Sequence, residues 1–513
     1  MPGEKTPPLP SRLRLPTEIW ALTFEKLSEE IPDHIQWFSS YDRDPEPRPS
    51  QLLAIQNLRL VCRTFSNLAS PLLCPYLYLE ISYESIDRAK GLLKNPRIAS
   101  GLRGIRLSLA YRPALLAYSR SQFSLHWEVK LENACFEPGM QLKEENKPVS
   151  SEDGPGRDEE LQAAEKREGM IKTLGNFGQY LGPVNSTSQY NFFRSSHELY
   201  KEKHWEQFEL LMSGSFVRQL AAALGRARQP IALHFTDDVQ KRYSLTNHRL
   251  FLGDTGLADA FIQPPPWNGD KTNGLLPARV LTELPIAIAQ AGGWLQSLKL
   301  SCPIYRCCHI FPPGVPPERS MAELRRAFKF LRVVEVGTPG YFCAYTSALL
   351  SSRSLRHVRT GPGWPWESVD TRCGQPVCNR ERRRARWLRT VEPTVRSLRI
   401  EDNTILQTEL GQILSMLSPR CKDIWISSLK SPSCNWSEMI EILRRKAGSR
   451  IASGKCRLHV SGLKGGGFPE RPRPPQGSDI DEDYERELAE YDGKMRQLLD
   501  YIEGNDVEKW WSG

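Results

Sequence analysis

The residues best suited to bind a metal are two cysteine clusters. Cys302, Cys307, Cys308 and His309 fall in SCPIYRCCH, and Cys373 and Cys378 in CGQPVC. Structural zinc needs paired Cys-x-x-Cys knuckles that present two thiolates from one turn, and neither cluster has them. No metal is expected. The twelve cysteines are spread over 513 residues, and Cys62, Cys74, Cys421 and Cys456 lie within or beside apolar patterns, so they read as reduced, buried thiols. No nucleophile elbow, Gly-rich phosphate loop, His-Glu-x-x-His helix or dinucleotide fingerprint stands in a strand-turn-helix context, and the run Gly465, Gly466, Gly467 sits in a linker. The nine histidines are scattered, and His234, His357 and His459 lie in strand-like runs, where a structural histidine is expected rather than a catalytic base. Neither a catalytic residue nor a cofactor is expected, which leaves binding. Trp267 in QPPPWNG and Trp364 and Trp366 in GPGWPWES suit that role, because rigid aromatics held by prolines in loops can anchor a client protein. The other reading is that these tryptophans plug the ends of a packed array.

The elements that would position such loops follow from periodicity. Tyr76 to Ser82 alternates as a strand. Helix-like stretches then lead repeatedly into a short strand with the cadence Leu-x-x-Leu-x-Leu. Copies begin at Leu102, Leu295, Leu331, Leu355, Val395 and Cys421, with Leu458 and Val460 as a frayed last one, and residues 231–235 are a further candidate strand. From the second copy onward the anchors step by about 24 to 40 residues. Helix then strand, repeated, predicts an α/β fold with a parallel sheet, in which stacking of neighbouring coils buries what one coil cannot. A general α/β domain without true repeats is the alternative.

Residues 1–10 are expected to be disordered, 11–75 to form a small helical module, 76–463 the α/β domain, 464–478 a Gly/Pro-rich linker, and 479–513 an acidic helix or tail. Within the α/β domain, composition predicts a disordered insertion at about 137–196, polar and poor in aromatics around KEENKPVSSEDGPGRDEE. The tail places Tyr484, Leu488, Tyr491, Met495, Leu498 and Ile502 at three- and four-residue steps, an apolar stripe that needs a partner.

In the N-terminal module, Pro16 suits a first helical turn and Glu18 favours the helix dipole there. Ile19, Leu22, Phe24 and Leu27 cover more than one face, and Leu58, Val61, Cys62, Phe65 and Leu68 recur at helical steps before Pro71. So small a module cannot bury all its large apolar side chains alone, which predicts a partner. The pattern resembles the F-box: Leu15-Pro16, then Glu18 and Ile19, and later Val61-Cys62-Arg63 with Phe65 and Leu68. About twenty residues lengthen the middle, IPDHIQWFSSYDRDPEPRPSQ, and Phe65 stands where Trp is more usual. The resemblance implies docking to a Skp-type adaptor, and through it to a cullin complex, by Leu15, Pro16, Glu18, Ile19, Leu27, Leu58, Val61, Cys62, Phe65 and Leu68. The rest of the chain would then resemble the irregular leucine-rich-repeat half of divergent fungal-type F-box proteins, a non-catalytic receptor that presents a client for ubiquitin-dependent degradation. An F-box-like scaffold acting without the ligase is the alternative.

Apolar residues make up 39% and charged residues 25% of the chain, as in soluble globular proteins, with no apolar run long enough for a membrane span or secretory signal. An intracellular protein, cytoplasmic or nuclear, is expected. The net charge of +9 is unevenly spread, with RERRRARWLR at 380–389 and acid concentrated at 479–508. With no nucleic-acid-binding motif beside it, the basic run reads as a solvated helix face, and nucleic acid is not an expected partner.

Overall fold

The computed structural model describes residues 49–144, 156–179, 188–226, 229–237, 257–265, 276–302, 317–336, 348–349, 352–360, 395–401, 414, 417–427, 429, 436–461, 463 and 482–503. The described residues begin with helices α1 (Pro49–Val61) and α2 (Arg63–Ala69) and a 3-10 turn at Ser70–Leu72. Strand β1 (Tyr76–Glu80) follows, then α3 (Tyr83–Lys94), α4 (Pro96–Ala99) and β2 (Gly104–Ser108). Helices α5 (Ala114–Tyr118), α6 (Arg120–Glu144), α7 (Gly156–Gly178), α8 (Ser188–Met212) and α9 (Ser215–Leu224) separate β2 from β3 (Ile231–Thr236). Next come α10 (Leu257–Phe261), α11 (Ala278–Gln290), β4 (Leu295–Leu300), α12 (Pro317–Ala327), β5 (Val333–Val336), β6 (His357–Thr360), β7 (Ser397–Glu401) and β8 (Asp423–Ser427). The chain ends through α13 (Trp436–Leu443), a π-helical turn at Arg444–Gly448, α14 (Ser449–Ala452), β9 (Arg457–Ser461) and α15 (Glu482–Glu503).

The nine strands among the described residues form one parallel sheet in strictly sequential order, β1 to β9. Parallel neighbours need crossover connections, and right-handed crossovers whose direction never reverses put the helices that make them on the same face. Accordingly α3, α9, α11 and α12 pack side by side in the order of the strands they join. The register aligns one apolar row across the whole sheet: Leu77, Ile105, Leu233, Leu298, Val334, Val358, Leu398, Ile424 and Leu458. A second row begins Leu79, Leu107, Phe235, Leu300 and ends Ile400, Ile426, Val460. Each sequence cadence thus supplies one strand, and its first residue (Leu102, Leu295, Leu331, Leu355, Val395 or Cys421) is buried in the same core.

Local signals fix the helices of the inner layer. Ser82 caps α3, its hydroxyl accepting from the Ser85 N–H at 3.1 Å, and Ile86, Ala89 and Leu93 face the core. Asn95 caps α4 by accepting from the Arg97 N–H at 3.0 Å, with Pro96 in the first turn. At the far end α15 closes the array. Its buried stripe is Tyr491, Met495, Leu498, Tyr501 and Ile502, and the Tyr501 hydroxyl donates to the Glu441 carboxylate. The closure is tight at Gly448, where a Cβ would meet the Ile502 carbonyl oxygen at 2.4 Å.

The long connection from β2 to β3 differs from its compositional reading. Residues 137–144, 156–178 and 188–196, within the stretch expected to be disordered, are helical. The reason is non-local: Met170, Leu174 and Phe177 of α7 bury against Phe123, Trp127 and Leu131 of α6 and Phe193 and Tyr200 of α8. Phe261 of α10 completes this second core, its ring 4.8 Å from that of Trp127. Helix α8 belongs to both cores, because Leu210 and Leu211 near its C-terminus join the sheet core. Buried Arg112 ties the two together, donating from Nε to the Ile262 carbonyl at 2.7 Å while its own carbonyl lies 2.6 Å from His204 Nδ1. Among the described residues no helix is long and apolar enough to cross a membrane. None of the described cysteines, Cys62, Cys74, Cys302, Cys421 and Cys456, is in a disulfide.

Candidate functional site

Two surfaces have the chemistry of recognition. The first is the N-terminal helix pair. The spacing predicts one continuous helix through residues 58–68, but Cys62 is extended (φ −162°, ψ 171°) and breaks it. The break lets α2 fold back on α1, so that Leu58, Phe65 and Leu68 all reach a small cluster of Ile55, Ala69 and Leu72, with Tyr76 of β1 beside it. Those three predicted contact residues are therefore half-buried by their own chain. Val61 and Cys62 lie at the elbow instead, and Val61 is 64% exposed, next to Leu60 at 84%. Leu53 is exposed as well. The turn after α2 passes so close to the end of α4 that a Cβ on Gly101 would meet the Pro71 carbonyl oxygen at 1.7 Å. Arg59 Nε also donates to Ser70 Oγ at 3.2 Å. Leu15, Pro16, Glu18, Ile19 and Leu27 lie outside the described residues, as do Trp267, Trp364 and Trp366 and the remaining members of both cysteine clusters.

The second surface is the face of the sheet opposite α3, α9, α11 and α12. Side chains alternate along a strand, so the residues between the core anchors must point this way. Across the sheet they form the row Tyr78, Arg106, His234, Lys299, Glu335, Arg359, Arg399, Trp425, His459. Four cations face one carboxylate there, and ring contacts bracket the row. Arg106 stands 5.8 Å from the Tyr78 ring, and Arg399 stands 5.1 Å from the Trp425 ring, which stacks on His459 at 3.8 Å. The middle is closed and the end is open. His234, Lys299 and Glu335 are buried, whereas Arg399, Trp425 and His459 are exposed, Trp425 at 38%. A groove of about 700 Å³ runs beside them, lined in part by Ser397, Asp423 and Arg457. Another groove, of about 690 Å³ between Tyr118 and Trp205, lies on the helical insertion and is lined by Ser195, Glu198, Lys201 and Glu202 of α8.

The buried centre of the row is an ion pair, Lys299 Nζ to Glu335 Oε1 at 2.9 Å, with each side chain only 3% exposed. Burial pushes the Lys299 ammonium below its ordinary value and the Glu335 carboxyl above its own, and in each case the partner's charge opposes the shift. His234 beside them is held well below the usual imidazole value by burial first, with the Lys299 and Arg106 charges adding. Its Nε2 lies 2.9 Å from Ser301 Oγ. In the helical insertion, burial likewise lowers His197 and His204, and takes His126 down to about 4 with Lys130 adding.

These four histidines give a pH dependence of known sign. A depressed imidazole stays neutral in the folded chain while the unfolded chain takes up a proton, so stability held above about pH 6.5 is lost as pH falls toward the depressed value. Each group contributes up to about 1.4 kcal/mol per pH unit in that window. Thermal unfolding between about pH 7.5 and about pH 5 should show Tm falling with acid; an unchanged Tm would contradict neutral burial.

Among the described residues no group of three or more histidine, cysteine or carboxylate side chains is placed to hold a metal ion. Comparison with protein-family models, with curated proteins and with solved structures finds no match.

Proposed function

We propose that this chain is the substrate-recognition subunit of an SCF-type (Skp-cullin-F-box) ubiquitin ligase. Residues 11–75 dock a Skp-type adaptor, and the α/β domain, read as an irregular leucine-rich-repeat solenoid, holds a client protein without chemistry of its own. The observation that carries this reading is the elbow between α1 and α2. The Val61-Cys62 pair of the F-box-like pattern is exposed there, with Leu53 and Leu60 also exposed on α1, on a helix pair whose cluster packs against Tyr76 of β1. Each such side chain contributes roughly 1.5–3 kcal/mol when a partner buries it, so a few offset the several kcal/mol that association costs. The strictly sequential sheet supports the second half, since every coil adds one strand to a continuous face. On that face the exposed Arg399 and Trp425 have residue types that dominate binding energies at interfaces. The assembly would act in the cytoplasm or nucleus.

A second reading is a scaffold that works without the ligase. It draws on Leu58, Phe65 and Leu68, which already have partners within their own chain. Co-purification of a Skp-type adaptor with the full chain separates the two. Leu15→Ala with Pro16→Ala should lower adaptor recovery by about tenfold or more, the scale of losing one or two interface anchors, with circular dichroism unchanged. Recovery equal to that of the unmodified chain would remove these residues from an adaptor interface, and no recovery with either chain would favour the scaffold.

A further inference from the structure

Strands β5 to β8 are each preceded, at the same register position, by a cation: Arg332, Arg356, Arg396 and Lys422. The residues that follow them, Val333, His357, Ser397 and Asp423, pair across neighbouring strands. The backbone is continuous along the row, since Arg356 N–H donates to the Arg332 carbonyl, Arg396 N–H to that of Arg356 and Lys422 N–H to that of Arg396, each at 2.7 Å. Successive cations therefore leave the backbone one strand spacing apart, about 4.8 Å. Arg332, Arg396 and Lys422 are exposed, and among the described residues none of the three has a carboxylate within ion-pair distance. The turns that lead in, residues 328–332, 352–356 and 417–422, add further lysine or arginine and contain no Asp or Glu.

Like charges on directly adjacent strands repel and lower stability. A bound polyanion offsets that repulsion, and such a row draws one in over about a Debye length. Two polymers carry the needed charge. Single-stranded nucleic acid binds basic grooves by stacking bases on free aromatic faces. Two exposed rings stand near this row and both are already engaged: Phe330 has the Lys329 ammonium 5.3 Å from its centroid, and Trp425 is flanked by Arg399 from β7 and by His459 from β9. Carboxylates need only the cations, and on one face of a helix they recur about every 5–6 Å, close to the strand spacing.

We propose that the edge where β5 to β8 begin is a docking surface for an acidic polypeptide segment of a partner protein, held by Arg332, Arg356, Arg396 and Lys422. The inference goes beyond adaptor docking and stands whether or not the chain serves a ligase. Fluorescence anisotropy with the full chain tests it, using a labelled oligoglutamate as probe and a labelled oligouridylate of equal charge as the comparison. Oligoglutamate should bind with an affinity that falls steeply as salt rises, and Arg396→Gln with Lys422→Gln should weaken it about tenfold. The double variant should melt at the same temperature as the unmodified chain or higher, because repulsion is relieved; a structural role would lower it. Arg332→Glu with Arg396→Glu should abolish binding, and adaptor recovery should not change. Oligoglutamate binding that is absent, or equal in the Gln variant, overturns the proposal. Tighter binding of oligouridylate at equal ionic strength overturns it too, in favour of nucleic acid.

Discussion

Lys299→Met is expected to destabilise the chain by about 3–5 kcal/mol, the scale of leaving one member of a buried ion pair without its partner. Lys299 and Glu335 sit on neighbouring strands at 2.9 Å, each 3% exposed, so the Glu335 carboxylate would stay in the interior after the substitution. The loss should depend on pH with a definite sign. Burial already raises the Glu335 carboxyl, and removing the lysine takes away the largest of the charges that oppose that shift, leaving those of Arg359 and Arg399. The folded form then binds a proton more readily than the unfolded one. The destabilisation is full above the folded value and shrinks as pH falls through it toward the ordinary carboxyl range near 4.3. Adding Glu335→Leu removes the stranded charge and should recover most of the loss, because an apolar pair of similar volume often equals or exceeds a buried ion pair. Urea unfolding of the two variants is the measurement. A single variant as stable as the parent, or a double variant no better than the single, would show that the pair is solvated.

Trp127→Ala is the second large effect, about 3–5 kcal/mol for deleting a fully buried indole. The ring is 1% exposed, 4.8 Å from Phe261 and 6.3 Å from Phe123, with the Lys130 ammonium 4.7 Å above it. The damage should be local. The aromatic core of α6, α7, α8 and α10 is separate from the sheet core, and α8 is the helix that contributes side chains to both. Hydrogen exchange should therefore speed up in α6, α7 and the first half of α8, while β2 to β5 and the helices α9 and α11 keep their protection. Loss of protection across the sheet as well would make the insertion and the sheet one cooperative unit.

What sequence could and could not show follows from the range of the interactions. The cadence anchors Leu298, Leu300, Leu398, Ile400, Ile424 and Ile426 announce their inward direction within a few residues, and the sheet places them all in register. The same alternation puts Arg399, Trp425 and His459 on the other face, so the open row was legible by a period of two. Trp267, Trp364 and Trp366 are more conspicuous in sequence, because their proline neighbours mark them as loop residues. The cation row is also legible, once strand starts are aligned. The helical insertion is not: Met170, Leu174 and Phe177 lie in or beside a highly polar stretch, and their partners Phe123, Trp127 and Phe193 come from distant segments. No local signal could pair them, because tertiary burial overrides composition there. The break at Cys62 was equally hidden, since helical steps run straight through it and only the packing of Leu58, Phe65 and Leu68 on Ile55, Ala69 and Leu72 explains the fold-back.

The exposed apolar elbow between α1 and α2 is the surface proposed to dock a Skp-type adaptor. Hydrogen exchange of the full chain, with and without purified adaptor, tests it most directly. The account predicts slowed exchange in residues 53–65, centred on Leu60, Val61 and Cys62, and in the Leu15–Leu27 segment, with the sheet unchanged. Adaptor binding that leaves those amides as fast as before, or no binding at all, would contradict it.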